Sequence, residues 1–355
     1  MPQQLPSGST DCTKASSTVM KAVPWPQSRL NLSKVTQFTN GSGVTVGVID
    51  TGVAAKAPSL AGRVSGPAAT DCVGHGTFLA GIIAAAPQPG VGFSGVAPDA
   101  SIYAARGTDA AGAPSVSAVA RGIRGAVDGG AKIIDVAVAL ERNSSPLTAA
   151  VKYAQQHDVV VIAPAVPDDG GQASMSNAAT PSPTSYWPAA NDGVVSVLDV
   201  NIDGERTQGS LVPVRADLAA PGQGVTGIGP VGKGHYLGNG ASVASAFVAG
   251  AAALVRAYHP ALSAQQVIQR LKATSYPADV PQLDIDGAVT DVLPTGVARG
   301  SADPDHFVRL VPKTSDGSAM TRALLLTGCC GLLGAGVGSC AAVVRRSRAN
   351  RSRGS

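Results

Sequence analysis

Charge is scarce in this chain of 355 residues: Asp, Glu, Lys and Arg together make up only 14%. With 44% hydrophobic residues and 43 glycines, that composition argues against a disordered chain and against a coiled coil, and favours short strands, tight turns and close-packed helices. The little charge there is lies unevenly. The net charge of +4 comes from Arg345, Arg346, Arg348, Arg351 and Arg353, all in the last eleven residues; without them 22 basic residues face 23 acidic ones. The excess of positive charge is thus confined to a tail, where a nucleic-acid binder would carry it on a folded face, and no nucleic-acid partner is expected. Also absent are a Gly-x-Gly-x-x-Gly turn after a strand and a phosphate loop, which argues against a nucleotide-binding domain. Residues 1–27 hold no run of seven or more apolar residues to form the core of a secretion signal.

The five cysteines form two groups. Cys12 and Cys72 lie in the body, and Cys329, Cys330 and Cys340 lie in an apolar run near the C-terminus. Only the first two are candidates for a disulfide, which would need an oxidising compartment; two free thiols are the alternative. The apolar run, 323–344, has no charged side chain over 22 positions, enough for a helix to cross about 30 Å of hydrocarbon. The RRSRANRSR sequence after it is the flank expected on the cytoplasmic side. A buried core helix is the competing reading. The arrangement predicts a single-pass protein of the cell membrane, with a cytoplasmic C-terminus and an exported, extracytoplasmic body. Export then requires a signal that has been removed or lies upstream.

Five regions follow: an N-terminal extension (1–40), a main domain (41–290), a Pro-, Gly- and Ser-rich stalk (291–322), the span (323–344) and a basic tail (345–355). Within the main domain, apolar runs of strand length occur at 44–50, 101–106, 132–140, 158–165 and 193–200. They are too continuous for one-sided antiparallel strands, and helical patterns at 76–86, 116–130 and 145–157 separate them. This alternation predicts an α/β fold, a doubly wound and mostly parallel sheet with helices on both faces.

Three polar residues stand where such a fold puts its chemistry. Asp50 ends the first strand, so its carboxylate emerges at the C-terminal edge of the sheet. His75, in Gly-His-Gly-Thr, precedes the next helix, and the flanking glycines allow close approach to its ring. Ser242 lies where a glycine-rich turn enters a long small-residue helix, whose N-terminal N–H groups and dipole favour a developing oxyanion. Taken singly, a strand-ending Asp, a structural His and an N-capping Ser are common, and Ser245 competes on the same helix.

Together, VIDTGV around Asp50, GHGTFLAGIIAA around His75, FSGVAP (93–98) and GASVASAFVAGAAALV around Ser242 resemble the subtilisin family, in the order Asp, His, Ser. Within it the chain is most similar to the mycosins, membrane-anchored proteases of type VII secretion. The features that carry this are PWPQSRL in the extension, DCVGHGT and the arginine-tailed span. The resemblance implies a serine endopeptidase with Asp50, His75 and Ser242 as its triad, protein or peptide substrates, a type VII secretion membrane complex as partner, and no cofactor or metal. It further implies a Cys12–Cys72 disulfide and a substrate-binding strand at Ala137, Val138 and Ala139, where the family usually has Ser-Leu-Gly. One departure concerns the oxyanion region formed with Ser242. Pro167 stands where the family has an asparagine that donates to the oxyanion, which predicts slow or restricted turnover unless a donor such as Asn177 or Gln172 replaces it. The competing reading is a protease-like structural component that stabilises a secretion complex.

Overall fold

The structure, a computed structural model, describes residues 2–5, 11–109, 111–168, 182–207 and 210–293. The expected span and tail, and the stalk beyond residue 293, lie outside the described residues.

In chain order the elements are β1 (Gln3–Gln4), α1 (Trp25–Arg29), α2 (Leu32–Val35), β2 (Thr45–Asp50), β3 (Val64–Ser65), α3 (His75–Ala84), β4 (Ser101–Arg106), α4 (Val116–Asp128), β5 (Ile133–Val136), α5 (Ser145–Gln156), β6 (Val160–Pro164), β7 (Val194–Val200), β8 (Leu218–Pro221), β9 (Val225–Ile228), β10 (His235–Gly238), α6 (Ala241–Tyr258), α7 (Ala264–Ala273) and α8 (Ile285–Thr290). The five apolar runs become β2, β4, β5, β6 and β7 of one seven-stranded sheet, ordered β3-β4-β2-β5-β6-β7-β8. Every pairing in it is parallel. A smaller sheet, β1-β10-β9, lies apart from it.

Alternate residues of each strand serve opposite faces of the sheet. Val46 and Val48 belong to the core built with α3 and α6, whereas Ile49, Ile134 and Val161 belong to the core built with α4 and α5. Both faces are therefore dry, which is why these strands are apolar throughout. Ser115 and Ser144 cap α4 and α5 by accepting from the N–H groups of Ala118 and Leu147, and Ser263 and Gln266 form a capping box on α7.

The central helix is α6, buried from Ala241 to Arg256. Its small residues let neighbouring backbone come close: a Cβ at Gly250 would run into Val96. Among the described residues it is the one helix long and apolar enough to cross a membrane, but 89% of it is buried inside the fold. The apolar run at 132–140 yields a strand only as far as Val136. Ala137 N–H still donates to the Ile49 carbonyl of β2 at 3.2 Å, Val138 and Ala139 leave the ladder, and Leu140 then exchanges backbone hydrogen bonds with Trp187 at 2.7 and 2.9 Å.

Residues 11–23 of the extension run over the body without helix, and α1 and α2 follow, with Leu30, Leu32 and Val35 buried in the core. The extension's β1 pairs with β10, the Thr18 carbonyl accepts from His235 N–H at 2.7 Å, and the Met20 carbonyl accepts from Gly92 N–H at 2.9 Å. Side chains at Gly92 or Gly234 would collide with the extension's backbone at Ala22 and Ser16.

Candidate active site

The strand order changes direction at β2, which has β4 on one side and β5 on the other. Ligands of open α/β sheets bind outside the strand ends at such a switch point. Asp50 is the last residue of β2 and is 1% exposed. Its Oδ2 lies 2.7 Å from His75 Nδ1, so the ring presents Nε2 to the cleft. His75 opens α3 after Gly74, whose φ of 96° is left-handed. Asp71 secures the turn, accepting from Gly74 N–H at 2.8 Å, Thr77 N–H at 2.9 Å and Thr77 Oγ1 at 2.7 Å. The adjoining Cys72 is joined to Cys12, and Thr13 N–H donates to the Cys72 carbonyl at 2.8 Å. Gly76 is needed for close approach, because a Cβ there would overlap the Gly52 carbonyl and come within 3.0 Å of Asp50 Oδ2.

Ser242 sits in the first turn of α6, behind Gly240 with its φ of 135°. Its Oγ is 3.1 Å from His75 Nε2. Asp50, His75 and Ser242 are thus brought into one hydrogen-bonded series. Ser245 is not part of it: the side chain is fully buried, and its Oγ donates to Asp135 Oδ1 at 2.8 Å and to the Ser242 carbonyl at 2.9 Å.

At the oxyanion position the structure departs from the sequence reading. Pro167 lines the cleft, but the group that meets Ser242 is the carboxylate of the next residue, Asp168. Asp168 Oδ1 accepts from Ser242 N–H at 2.9 Å, and Oδ2 accepts from Ser242 Oγ at 2.5 Å. The same Oδ2 is 3.2 Å from His75 Nε2. Asp168 thus caps α6 from outside the helix, where the dipole favours an anion, and it competes with His75 for the serine proton. Asn177 and Gln172 lie outside the described residues.

His75 is held well above the ordinary imidazole range; burial alone would lower it, but the charges and hydrogen bonds of Asp50 and Asp168 outweigh that effect. Asp135, at 0% exposure behind the site, is pushed up to about 8, first by burial and further by Asp50 and Asp168, with Ser245 and His75 opposing. In front lies a cleft of about 600 Å³. Ala137, Val138 and Ala139 line it together with Pro164, Val166 and Pro167, and Gln4 and Leu5 of the extension reach its rim.

Comparison with known proteins bears directly on this arrangement. A profile of the subtilase family matches residues 41–305. The chain belongs to the subtilase family. This subtilase is 32% identical to mycosin-4 of Mycobacterium tuberculosis over 351 residues, covering 85% of its own length and 76% of that protein. It is 36% identical to subtilisin DY of Bacillus licheniformis over 262 residues, covering 72% and 92%. Among solved structures it resembles the MycP3 protease of the type VII (ESX-3) secretion system, with a TM-score of 0.67, 29% identity and coverage of 81% and 94%. It also resembles a chain of an intact ESX-5 inner membrane complex, with a TM-score of 0.69, 26% identity and coverage of 96% and 94%. The subtilase is accordingly a subtilisin-like serine endopeptidase with mycosins among its relatives.

Sequence reasoning missed two carboxyls of this subtilase's site. Asp168 carried a signal, an acidic residue directly after the expected oxyanion position, but the path of the chain past Pro167 decides which side chain turns inward. Asp135 also carried one, as a charged residue inside an otherwise apolar strand.

Proposed function

We propose that this protein hydrolyses peptide bonds by acyl transfer, with Ser242 as nucleophile, His75 as general base and then general acid, and Asp50 holding the Nδ1–H. The observation that carries the reading is the unbroken contact series Asp50 Oδ2, His75 Nδ1, His75 Nε2 and Ser242 Oγ at the C-terminal end of β2. An extended substrate lies along Ala137–Ala139, pairing its backbone with that segment. Ser242 attacks the carbonyl, its proton passes to Nε2, and His75 returns it to the departing amine; water then releases the acyl group by the same route. This chemistry asks for no metal or cofactor. Turnover is slower than in a site with an amide donor, because Pro167, at the position of the family's asparagine, has no side-chain donor.

We place the enzyme on the outer face of a membrane, anchored by 323–344 with the basic tail inside, and in contact with a type VII secretion membrane complex. The uncharged span with its arginine flank supports the anchor. Likeness to a chain of an ESX-5 inner membrane complex over 96% of this chain supports the partner. A second reading, a structural component of that complex, draws on the Asp168 carboxylate that holds both the N–H and the hydroxyl of Ser242.

The test is labelling of the full-length protein in detergent with a fluorophosphonate, alongside Ser242→Ala and Ser245→Ala. Labelling lost only in Ser242→Ala is the expected result. A folded wild-type protein that takes no label favours the structural reading.

A further inference from the structure

The contacts of Asp168 are those of a participant in the reaction. Its two oxygens meet Ser242 N–H, Ser242 Oγ and His75 Nε2, and these are the groups between which a reacting carbonyl must fit. As a carboxylate it repels the negative charge that develops there. As a neutral acid it carries an O–H aimed at the same spot. We propose that Asp168 is a further catalytic residue of this subtilase, donating to the oxyanion as a neutral acid with a proton that it takes over from His75. The proposal rests on the Asp50–His75–Ser242 reading given above.

The step balances within the site. In the resting state His75 Nε2 holds the proton and Asp168 is a carboxylate, a pairing that agrees with the contact between them. The proton crosses 3.2 Å from Nε2 to Asp168 Oδ2. This leaves a neutral imidazole facing Ser242 Oγ and a neutral carboxyl facing the incoming carbonyl. Oγ then bonds to the carbonyl carbon, the π pair moves onto oxygen, and the serine proton goes to Nε2. The Asp168 O–H and Ser242 N–H donate to the new oxyanion. As the tetrahedral intermediate collapses, the C–N bond breaks and His75 gives its proton to the amine. Asp168 recovers its resting charge when its proton returns to His75 after hydrolysis of the acyl group.

The charged neighbours oppose the first transfer in the free enzyme. Asp50 at the end of β2 holds positive charge on His75, and Asp168 Oδ1 accepts from Ser242 N–H in the first turn of α6. Asp135 of β5 is the other carboxyl facing this group, and among the described residues no lysine or arginine pairs with Asp168. A bound substrate shifts the balance, because its carbonyl oxygen displaces the carboxylate from Ser242 N–H and removes the hydrogen bonds that kept Asp168 charged.

The competent enzyme therefore carries one proton on the His75–Asp168 pair before attack. With two protons His75 cannot act as base. With none, Asp168 is an anion against an anion. An ordinary Asp–His–Ser site is competent with no proton on His Nε2 and stays so as pH rises; here activity has an alkaline limb set by loss of the pair's last proton.

The experiment is kcat/KM against pH for the full-length protein in detergent with a fluorogenic peptide, comparing wild type, Asp168→Asn and Asp168→Ala, with Ser242→Ala as control and thermal unfolding to confirm folding. Wild-type activity is expected to fall about tenfold per pH unit on the alkaline side. Asp168→Asn, a permanent donor, is expected to lose that limb and exceed wild type there. Asp168→Ala is expected to lose about 10²–10³ in turnover at the wild-type optimum. Identical profiles for wild type and Asp168→Asn, or full activity in folded Asp168→Ala, overturn the proposal. So does a wild type that is inactive at every pH while Asp168→Asn hydrolyses, since Asp168 is then a block. Activity retained in Ser242→Ala instead overturns the triad reading, and the failure is assigned there.

Discussion

Asp135 Oδ1 accepts the Ser245 hydroxyl at 2.8 Å, one helical turn beyond Ser242, while its Oδ2 is buried without a hydrogen-bond partner. A fully buried carboxyl with one empty oxygen is tolerable only as the neutral acid, and its titration is pushed up to about 8, chiefly by burial. An unfolded aspartic acid loses its proton near pH 4. Between those limits the folded chain binds the extra proton, so stability falls as pH rises through the interval. Asp135→Asn keeps the acceptor for Ser245 and removes the ionisation. Thermal unfolding from pH 5 to pH 8 is expected to fall more steeply in wild type than in Asp135→Asn; parallel curves would contradict the assignment.

Gly240 has a φ of 135°, and a Cβ there would strike the Asp168 carboxylate. Gly240→Ala thus combines backbone strain of about 1–3 kcal/mol with displacement of the group that meets Ser242. We expect at least a tenfold loss of fluorophosphonate labelling rate in a protein that still folds. Gly90→Ala, at a left-handed position with nothing within 4 Å, is the control: it shares the backbone strain but leaves labelling unchanged.

The Cys12–Cys72 bond closes a separation of 60 residues. Chain entropy sets its contribution at about 4 kcal/mol as an upper figure. Cys12→Ser is expected to lower the unfolding temperature and to reduce activity as well, because Thr13 donates to the carbonyls of Cys72 and Val73 in the turn that leads to His75. A variant that loses stability but keeps its full labelling rate would separate the bond from the positioning of His75.

The cleft wall of Ala137, Val138, Pro164, Val166 and Pro167 offers a substrate side chain apolar surface, while Asp50 and Asp168 line the same cleft. In a peptide library, apolar residues before the cleaved bond are expected to exceed acidic ones by tenfold or more in kcat/KM, a difference of about 1.4 kcal/mol.

The strand runs and the residues around Asp50, His75 and Ser242 were legible because each has a local cause. Strands dry on both faces must be apolar along their length, and Gly74, Gly76 and Gly240 mark places where backbone must pass close. The four-residue strands LAAP, VTGI and HYLG of β8, β9 and β10 gave no periodicity to read, and two-residue β1 gave less. For Asp168 the signal was there but not the path that turns it inward. The strand register continues through Pro164, with Ala165 N–H still bonded to Val197, and past it a one-residue difference of path exchanges a proline for a carboxylate at Ser242. Asp135 looked like a strand residue, and only its depth behind the site gives it meaning.

The segment 11–22 has a structural debt owed to it by the enzyme body. Gly92 and Gly234 have no room for side chains because this segment's backbone lies against them, and the N–H groups of Gly92 and His235 find their acceptors in it. Stripping it away would open a furrow lined by bare peptide groups and leave those donors to water. The segment is thus wall rather than wrapper.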